Sequence, residues 1–186
     1  MKYDNKKMAG ALLFVASIQF LLFLVITEAL YPDYSVSENY ISDLGVGPTA
    51  LIFNLSIIVL GILILAGTYY LHQAFKFKVL SILLVLTGIG AAGVGLFPED
   101  MGAIHGIFAL VAFLFGGLSA VASYKVLDSP LSYFSVVLGI VALVALVLFM
   151  SGVYLGLGVG GMERMIAHPV LLWGAGLGGS LISCKK

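Results

Sequence analysis

The sequence predicts an all-α integral membrane protein, a bundle of six transmembrane helices with both termini in the cytoplasm. The first observation is composition: 61% of the 186 residues are hydrophobic and only 10% are charged, and the mean hydropathy is +1.15. Soluble domains carry about 25% charged residues, so a soluble or disordered chain is excluded. This composition makes membrane lipids the expected partners, and the formal net charge of zero does not favour nucleic acid.

The second observation is that the apolar residues form six continuous stretches. They cover residues 8–30, 49–71, 79–97, 103–123, 131–157 and 165–183. Each is close to or above the roughly 20 residues that a helix needs to cross a bilayer, and none alternates as a barrel strand would. We therefore predict a single six-helix membrane domain over residues 1–186. The first stretch is longer than the core of a signal peptide, so we expect it to be a retained helix.

The third observation is that the basic residues are distributed unevenly between the two sides of the predicted bundle. Eight of the nine fall on the side that carries both termini. They are Lys2, Lys6, Lys7, Lys76, Lys78, Lys125, Lys185 and Lys186. The opposite side carries seven acidic residues and one basic residue, Arg164. Because lysine and arginine are enriched in cytoplasmic loops, this asymmetry predicts that both termini are cytoplasmic.

Small residues recur every three or four positions in three of the predicted helices. The three stripes are Gly88, Ala92 and Gly95; Gly152, Gly156 and Gly160; and Gly174 and Gly178. This spacing lets helix backbones approach closely in lipid, where no hydrophobic force drives helices together. We expect glycine-rich packing between helices of the same chain.

Most of the unusual polar residues lie on the outward side, near helix ends and in the connecting loops. The candidate ligand-binding residues are Glu28, Asp43, Asp100, His105, Arg164 and His168. Ionisable groups near a membrane are costly to expose to lipid, so they usually face the protein interior and one another. We therefore expect these side chains to converge in one outward-facing polar site.

Each of these residues also has a purely structural interpretation. Arg164 can neutralise Asp43, Asp100 or Glu163 and so hold the outer loops in place. A single histidine at a helix end is commonly a hydrogen-bonded interfacial residue.

Three motifs on the outward side mark a family resemblance. They are SENYISDLG, from Ser37 to Gly45; FPED at 97–100, followed by His105; and the pair Glu163-Arg164. Together they resemble the prokaryotic six-helix membrane family known only as "domain of unknown function nine-nine-eight", over almost the whole chain. The resemblance implies six helices, an outward motif surface and, in a prokaryotic cell, the plasma membrane. It implies no established activity.

The residues leave several functions open, and they do not decide whether the chain is an enzyme. The first interpretation is a protein that binds or moves a lipid headgroup or a small polar ligand. Arg164 would pair with a phosphate or carboxylate, and Asp43, His105 and His168 would complete the pocket. The second is a zinc-dependent hydrolase, because two histidines and a carboxylate (His105, His168 and Asp43) suit zinc with an open position for water. Glu99 or Asp100 would then be the base.

A haem held between His105 and His168 is a further alternative. Against it, both histidines are predicted to lie near the membrane surface, and the outward side has only this one pair.

Overall fold

The computed structural model describes residues 4–183 as a bundle of six α-helices. They are α1 (Asn5–Leu30), α2 (Ala50–Phe75), α3 (Lys78–Leu96), α4 (Ala103–Ala122), α5 (Leu131–Met150) and α6 (Gly158–Ser183). No strand occurs in residues 4–183, which confirms the predicted all-α fold. Lys2, Lys185 and Lys186, which entered the charge count, lie outside the described residues.

The six helices form a ring around a common centre. Each helix packs against its neighbours in the chain, α6 packs against α1 to close the ring, and α4 also touches α6. The order alternates up and down, so the segments at 31–49, 97–102 and 151–157 meet at one end of the bundle. We call this the acidic end, because seven of the nine acidic residues belong to it. The opposite end is called the lysine end.

The outer faces of the helices are apolar. Leu22, Val25, Leu51 and Val147 are 60%, 63%, 72% and 64% exposed, which water would not favour but lipid does. Each helix is long and apolar enough to cross a membrane. The chain is therefore an integral membrane protein, and the orientation of its termini stays a prediction.

Two of the predicted stripes of small residues lie at close helix contacts. A Cβ built on Gly61 of α2 would lie 2.5 Å from the Gly88 carbonyl oxygen and 2.8 Å from Cβ of Ala92 on α3. A Cβ on Gly178 of α6 would lie 2.7 Å from the carbonyl oxygen of Gly10 on α1. The α2–α3 and α1–α6 contacts therefore depend on having glycine, which has no side chain, at these positions.

The boundary between the last two helices differs from the prediction. The predicted fifth span runs to residue 157, but α5 ends at Met150, and α6 begins at Gly158 instead of residue 165. Gly152 and Gly156 have φ of +71° and +79°, a backbone conformation that glycine adopts easily and a helix excludes. Neither residue has a neighbour that a Cβ would meet. The third stripe is therefore a turn, and only its last member, Gly160, lies in a helix.

Candidate functional site

The segment between α1 and α2, residues 31–49, folds across the acidic end as a compact cap. Within it, Oδ2 of Asp43 accepts hydrogen bonds from the Asn39 side-chain amide at 3.0 Å and from the Tyr40 backbone N–H at 2.9 Å. Asp43 is also the second residue of the short 3₁₀ turn Ser42–Gly45. An aspartate that accepts nearby backbone and side-chain donors is a common way to fix a turn. Asp43 therefore holds the cap in shape.

Arg164 fastens this cap to α6 and α1. Its Nη2 lies 2.6 Å from Oε1 of Glu28 in α1, and its Nε donates to the same oxygen at 3.1 Å. Nη2 also donates to the Tyr34 hydroxyl at 2.6 Å. Nη1 donates to the carbonyl oxygens of Val36 at 3.0 Å and of Gly160 at 2.9 Å.

These contacts engage every N–H group of the guanidinium, which has five. The Arg164 side chain is only 7% exposed, and its partner Glu28 is 20% exposed. Binding a phosphate or carboxylate there would require Arg164 to give up partners that it already has. The structure thus supports the structural interpretation of Arg164, with Glu28 as its partner in place of Asp43, Asp100 or Glu163.

Tyr34 links the Arg164 contact to the centre of the cap. Its hydroxyl accepts from Arg164 and donates to the carbonyl oxygen of Tyr40 at 2.7 Å. Burial raises the pKa of Tyr34 to about 12, although the hydrogen bond from Arg164 acts in the opposite direction. The phenol therefore stays protonated near neutral pH and keeps its role as a donor.

Glu163 makes a second attachment between α6 and the cap. Its Oε2 accepts the Ile41 backbone N–H at 2.6 Å, and the side chain is 6% exposed. One turn earlier, the Gly160 N–H donates to the Ser37 carbonyl oxygen at 2.8 Å. Among residues 4–183, no basic side chain forms a salt bridge with Glu163.

A cavity of about 110 Å³ lies at the centre of the helix ring. Its walls come from α1, α2, α3, α4 and α6 and are almost entirely apolar. Ser42, His105 and Glu163 lie together at the acidic end of the lining, and Trp173 and Leu177 lie toward the lysine end. The cavity is therefore apolar along its length and polar at one end.

His105 reaches this cavity from the first turn of α4. Its Nδ1 lies 2.8 Å from the Phe97 carbonyl oxygen. Since a carbonyl only accepts, Nδ1 carries the hydrogen, and the neutral ring keeps Nε2 as an acceptor. His105 is 8% exposed.

Glu99 lies where the turn Glu99–Met101 meets the turn Ser42–Gly45. Burial, with a smaller contribution from the nearby Asp43, raises the pKa of Glu99 to about 7, although a hydrogen bond from Ser42 acts in the opposite direction. Its Oε2 is buried and has no hydrogen-bond partner. Glu99 therefore binds a proton near neutral pH more readily than an ordinary glutamate does.

A family model described as "Protein of unknown function (DUF998)" matches residues 14–179. The match covers most of the chain. The protein belongs to the DUF998 family. Neither a curated protein nor a solved structure matches it. Family membership brings no activity with it, so the function has to be argued from the site itself.

In this DUF998 chain, the predicted site residues separate into distinct environments. Glu28 and Arg164 pair, Asp43 fixes the cap, and His105 lines the cavity. Asp100 is exposed. His168 is half-buried, one turn after Arg164, and makes no hydrogen bond to any residue of the described chain. A role for these residues in ligand binding stays a prediction.

The predicted ligand set omits two residues that line the DUF998 cavity, Glu163 and Ser42. Glu163 could have been found from the sequence, because an acidic residue in an apolar membrane helix is energetically costly and usually faces the protein interior or a cavity. Ser42 could not have been found in this way, since a loop serine is ordinary.

The zinc alternative lacks a ligand set in this geometry. Across residues 4–183, no group of three or more histidine, cysteine, aspartate or glutamate side chains lies close enough to hold a metal ion. His105 lines the central cavity and His168 does not. The two histidines therefore do not face each other across the central cavity, as a haem held between them there would require.

Proposed function

We propose that this DUF998 protein binds a small, largely apolar molecule in the central cavity, with its polar end next to Ser42, His105 and Glu163. The observation that carries the proposal is the cavity itself, which is lined by apolar side chains and has polar groups gathered at one end. Binding sites for small molecules commonly combine apolar walls with a few polar groups that fix orientation. The site is an amphipathic one, and the acidic end marks where the ligand's polar group lies.

The volume limits the size of the molecule. An engineered cavity of about 150 Å³ in another protein holds benzene, and the cavity here is about 110 Å³. The space is smaller than that cavity, so it limits the buried part of the ligand to about a single ring or a short chain segment. A whole phospholipid does not fit, so the general lipid-headgroup hypothesis narrows to a small amphipathic molecule.

The apolar walls provide the main attraction. Phe20, Phe53, Phe113 and Leu171 present hydrocarbon to the cavity. Burying apolar ligand surface there is favourable by about 25 cal/mol per Å². Deeper polar groups are few: the Thr87 hydroxyl already donates to the Leu83 carbonyl oxygen of its own helix.

Trp173 provides a direct measurement. It is the only tryptophan of the chain, it lines the cavity, and its Nε1 donates to Oγ of Ser123 at 2.8 Å. Bromobenzene, whose bromine quenches tryptophan fluorescence, is a suitable probe. We expect saturable quenching of Trp173 in the detergent-purified protein.

Variants that fill the cavity supply the control. Ala167→Leu and Ala109→Leu add methyl groups to the lining and should abolish saturable quenching. Val147→Leu changes the lipid-facing surface and should leave it unchanged. Quenching that never saturates, or that is equal in all three variants, would overturn the proposal.

We also propose that the protein lies in the plasma membrane with the acidic end outside the cell. Support comes from the described lysines, Lys6, Lys7, Lys76, Lys78 and Lys125, which all belong to the opposite end. The cavity's polar end would then face the cell exterior.

A further inference from the structure

We infer that the polar end of the cavity's ligand is an amine, positively charged and hydrogen-bond donating. This inference rests on the proposed function, because it assigns a ligand class to the same cavity. It replaces the phosphate or carboxylate that the sequence suggested for Arg164.

The groups that face the polar end of the cavity are acceptors. Glu163 offers a carboxylate, and its one hydrogen bond in the described chain comes from the Ile41 N–H. Nδ1 of His105 is committed to the Phe97 carbonyl oxygen, so Nε2 is the acceptor of the uncharged imidazole. The Ser42 hydroxyl can accept as well. A ligand group that donates hydrogen bonds meets all three.

The cation that an anionic ligand would need is already engaged. Arg164 directs its N–H groups to Glu28, Tyr34 and backbone carbonyl oxygens of the cap and α6. The lysines of the described chain belong to the lysine end, on the other side of the membrane-spanning region. An anion at the polar end would therefore lie beside acceptors and carboxylates.

The charge balance of the acidic end favours a cation. Seven acidic residues and one basic residue belong to it, and Glu28 already neutralises Arg164 at 2.6 Å. Glu163, which is 6% exposed, has no salt-bridge partner within residues 4–183. A buried carboxylate is costly unless it is paired, and an ammonium group next to Glu163 would supply the missing partner.

Three matched probes test the ligand class: 2-(4-bromophenyl)ethylamine, 2-(4-bromophenyl)ethanol and 3-(4-bromophenyl)propanoate. All carry the same ring and differ in the polar group. With Trp173 quenching in an uncharged detergent, we expect the amine to bind at least tenfold more tightly than the alcohol and the carboxylate to bind least.

Glu163→Gln should reduce amine affinity at least tenfold and alcohol affinity much less, because the amide oxygen still accepts a hydrogen bond but carries no charge. Alcohol binding by this variant shows that the cavity is still formed. If Glu163→Gln loses alcohol binding as well, Glu163→Asp, which keeps the charge, should restore the preference for the amine. Asp100→Asn removes an exposed acid at the same end and should leave the preference unchanged.

The outcomes separate the two proposals. If the alcohol or the carboxylate binds as tightly as the amine while bromobenzene still binds, the amine inference is wrong and the cavity proposal stands. The same conclusion follows if Asp100→Asn reduces the preference as much as Glu163→Gln, since the preference would then reflect general surface charge. If neither bromobenzene nor any of the three probes binds in a way that Ala167→Leu abolishes, the cavity proposal itself fails.

Discussion

Arg164 is the residue on which the acidic end depends most. It joins α6 to Glu28 of α1 and to the cap through Tyr34 and Val36. Breaking a buried ion pair by removing one partner typically costs about 3–5 kcal/mol, because the other charge stays buried without compensation. Glu28 is partly exposed, so the lower part of that range applies here.

We predict that Arg164→Gln lowers the free energy of unfolding by about 3 kcal/mol. The measurement is an unfolding titration in mixed micelles. The double variant Glu28→Gln/Arg164→Gln should be more stable than Arg164→Gln alone, because it removes the unpaired carboxylate. A loss under about 0.5 kcal/mol, which is the usual effect of a surface change, would show that the pair does not hold the cap.

Glu99 makes the stability of the acidic end depend on pH. Burial raises the pKa of Glu99 from 4.5 to about 7. The folded state therefore binds this proton more tightly than the unfolded chain does. Because of this, the free energy of unfolding falls as the pH rises through the range in which the two states differ in bound protons. The contribution of protonated Glu99 to the stability of the folded state is fully present below pH 4.5 and is lost as the pH rises to about 7.

We predict that Glu99→Gln, which resembles the protonated acid, removes this part of the pH dependence. The stability difference between the variant and the parent should grow in favour of the variant between pH 4.5 and pH 7. Asp100→Asn, an exposed neighbour in the same turn, is the matched control and should follow the parent. A difference that stays constant with pH would contradict the raised pKa. The measurement is the thermal unfolding midpoint of the parent and of both variants at a series of pH values.

At the level of single residues, sequence reasoning located the polar groups but not their pairs. It correctly placed Glu28, Asp43 and Arg164 in one end region. Which acid meets Arg164 depends on closure of the helix ring, which brings together residues 136 positions apart. No local spacing rule reaches that far, so the Glu28–Arg164 pair was not predictable.

Among the helices, α2 and α3 form one of the close backbone contacts that depend on glycine. Gly61 faces the backbone of Gly88, and a Cβ there would lie 2.5 Å from that carbonyl oxygen. Backbone atoms cannot move aside as a flexible side chain can, so the two helices would have to separate.

We predict that Gly61→Ala destabilises the protein by at least about 1 kcal/mol, the lower limit of typical overpacking costs. Gly106→Ala is the matched control, since Gly106 lies in α4 with open space around its missing side chain. That change should be neutral or stabilise slightly, because alanine favours helix more than glycine does. Equal effects of the two changes on the unfolding titration would mean that the α2–α3 contact is not tight.

The helices themselves were largely predictable from apolar length, and the exception has a physical reason. Residues 151–157, SGVYLGL, carry no charged side chain and include Val153, Leu155 and Leu157. Hydropathy alone therefore extends the fifth span through them. The positive φ of Gly152, Leu155 and Gly156 ends the helix instead, and the shift begins α6 early enough to bury Glu163 and Arg164 under the cap.

At the scale of the whole molecule, the ring of helices explains why a cavity exists at all. Adjacent helices pack closely around the ring through α2–α3 and α1–α6, while five helices contribute to the central lining. The cap then covers the acidic end and is held there by Glu163 and Arg164. Residues that bind the cap and residues that face the cavity are thus neighbours on α6.

Membrane orientation decides from which side a ligand reaches the polar end, and charge predicts it. We expect Glu38→Cys, in the exposed part of the cap, to react with a membrane-impermeant maleimide on intact cells. Gln73→Cys, exposed near the lysine end of α2, should react only after the membrane is permeabilised. Both variants are made with Cys184→Ala, because Cys184 is the chain's only cysteine.

The reverse labelling pattern would place the acidic end in the cytoplasm and would contradict the charge rule. Labelling of both sites on intact cells would mean that the chain inserts in both orientations. Either result would leave the cavity in place but would remove the argument that its ligand arrives from outside. The expected pattern, in contrast, would place the carboxylates of the cap and Glu163 on the outer side. There, negative potential raises the local concentration of cations, so a ligand with an amine group would be drawn toward the polar end of the cavity.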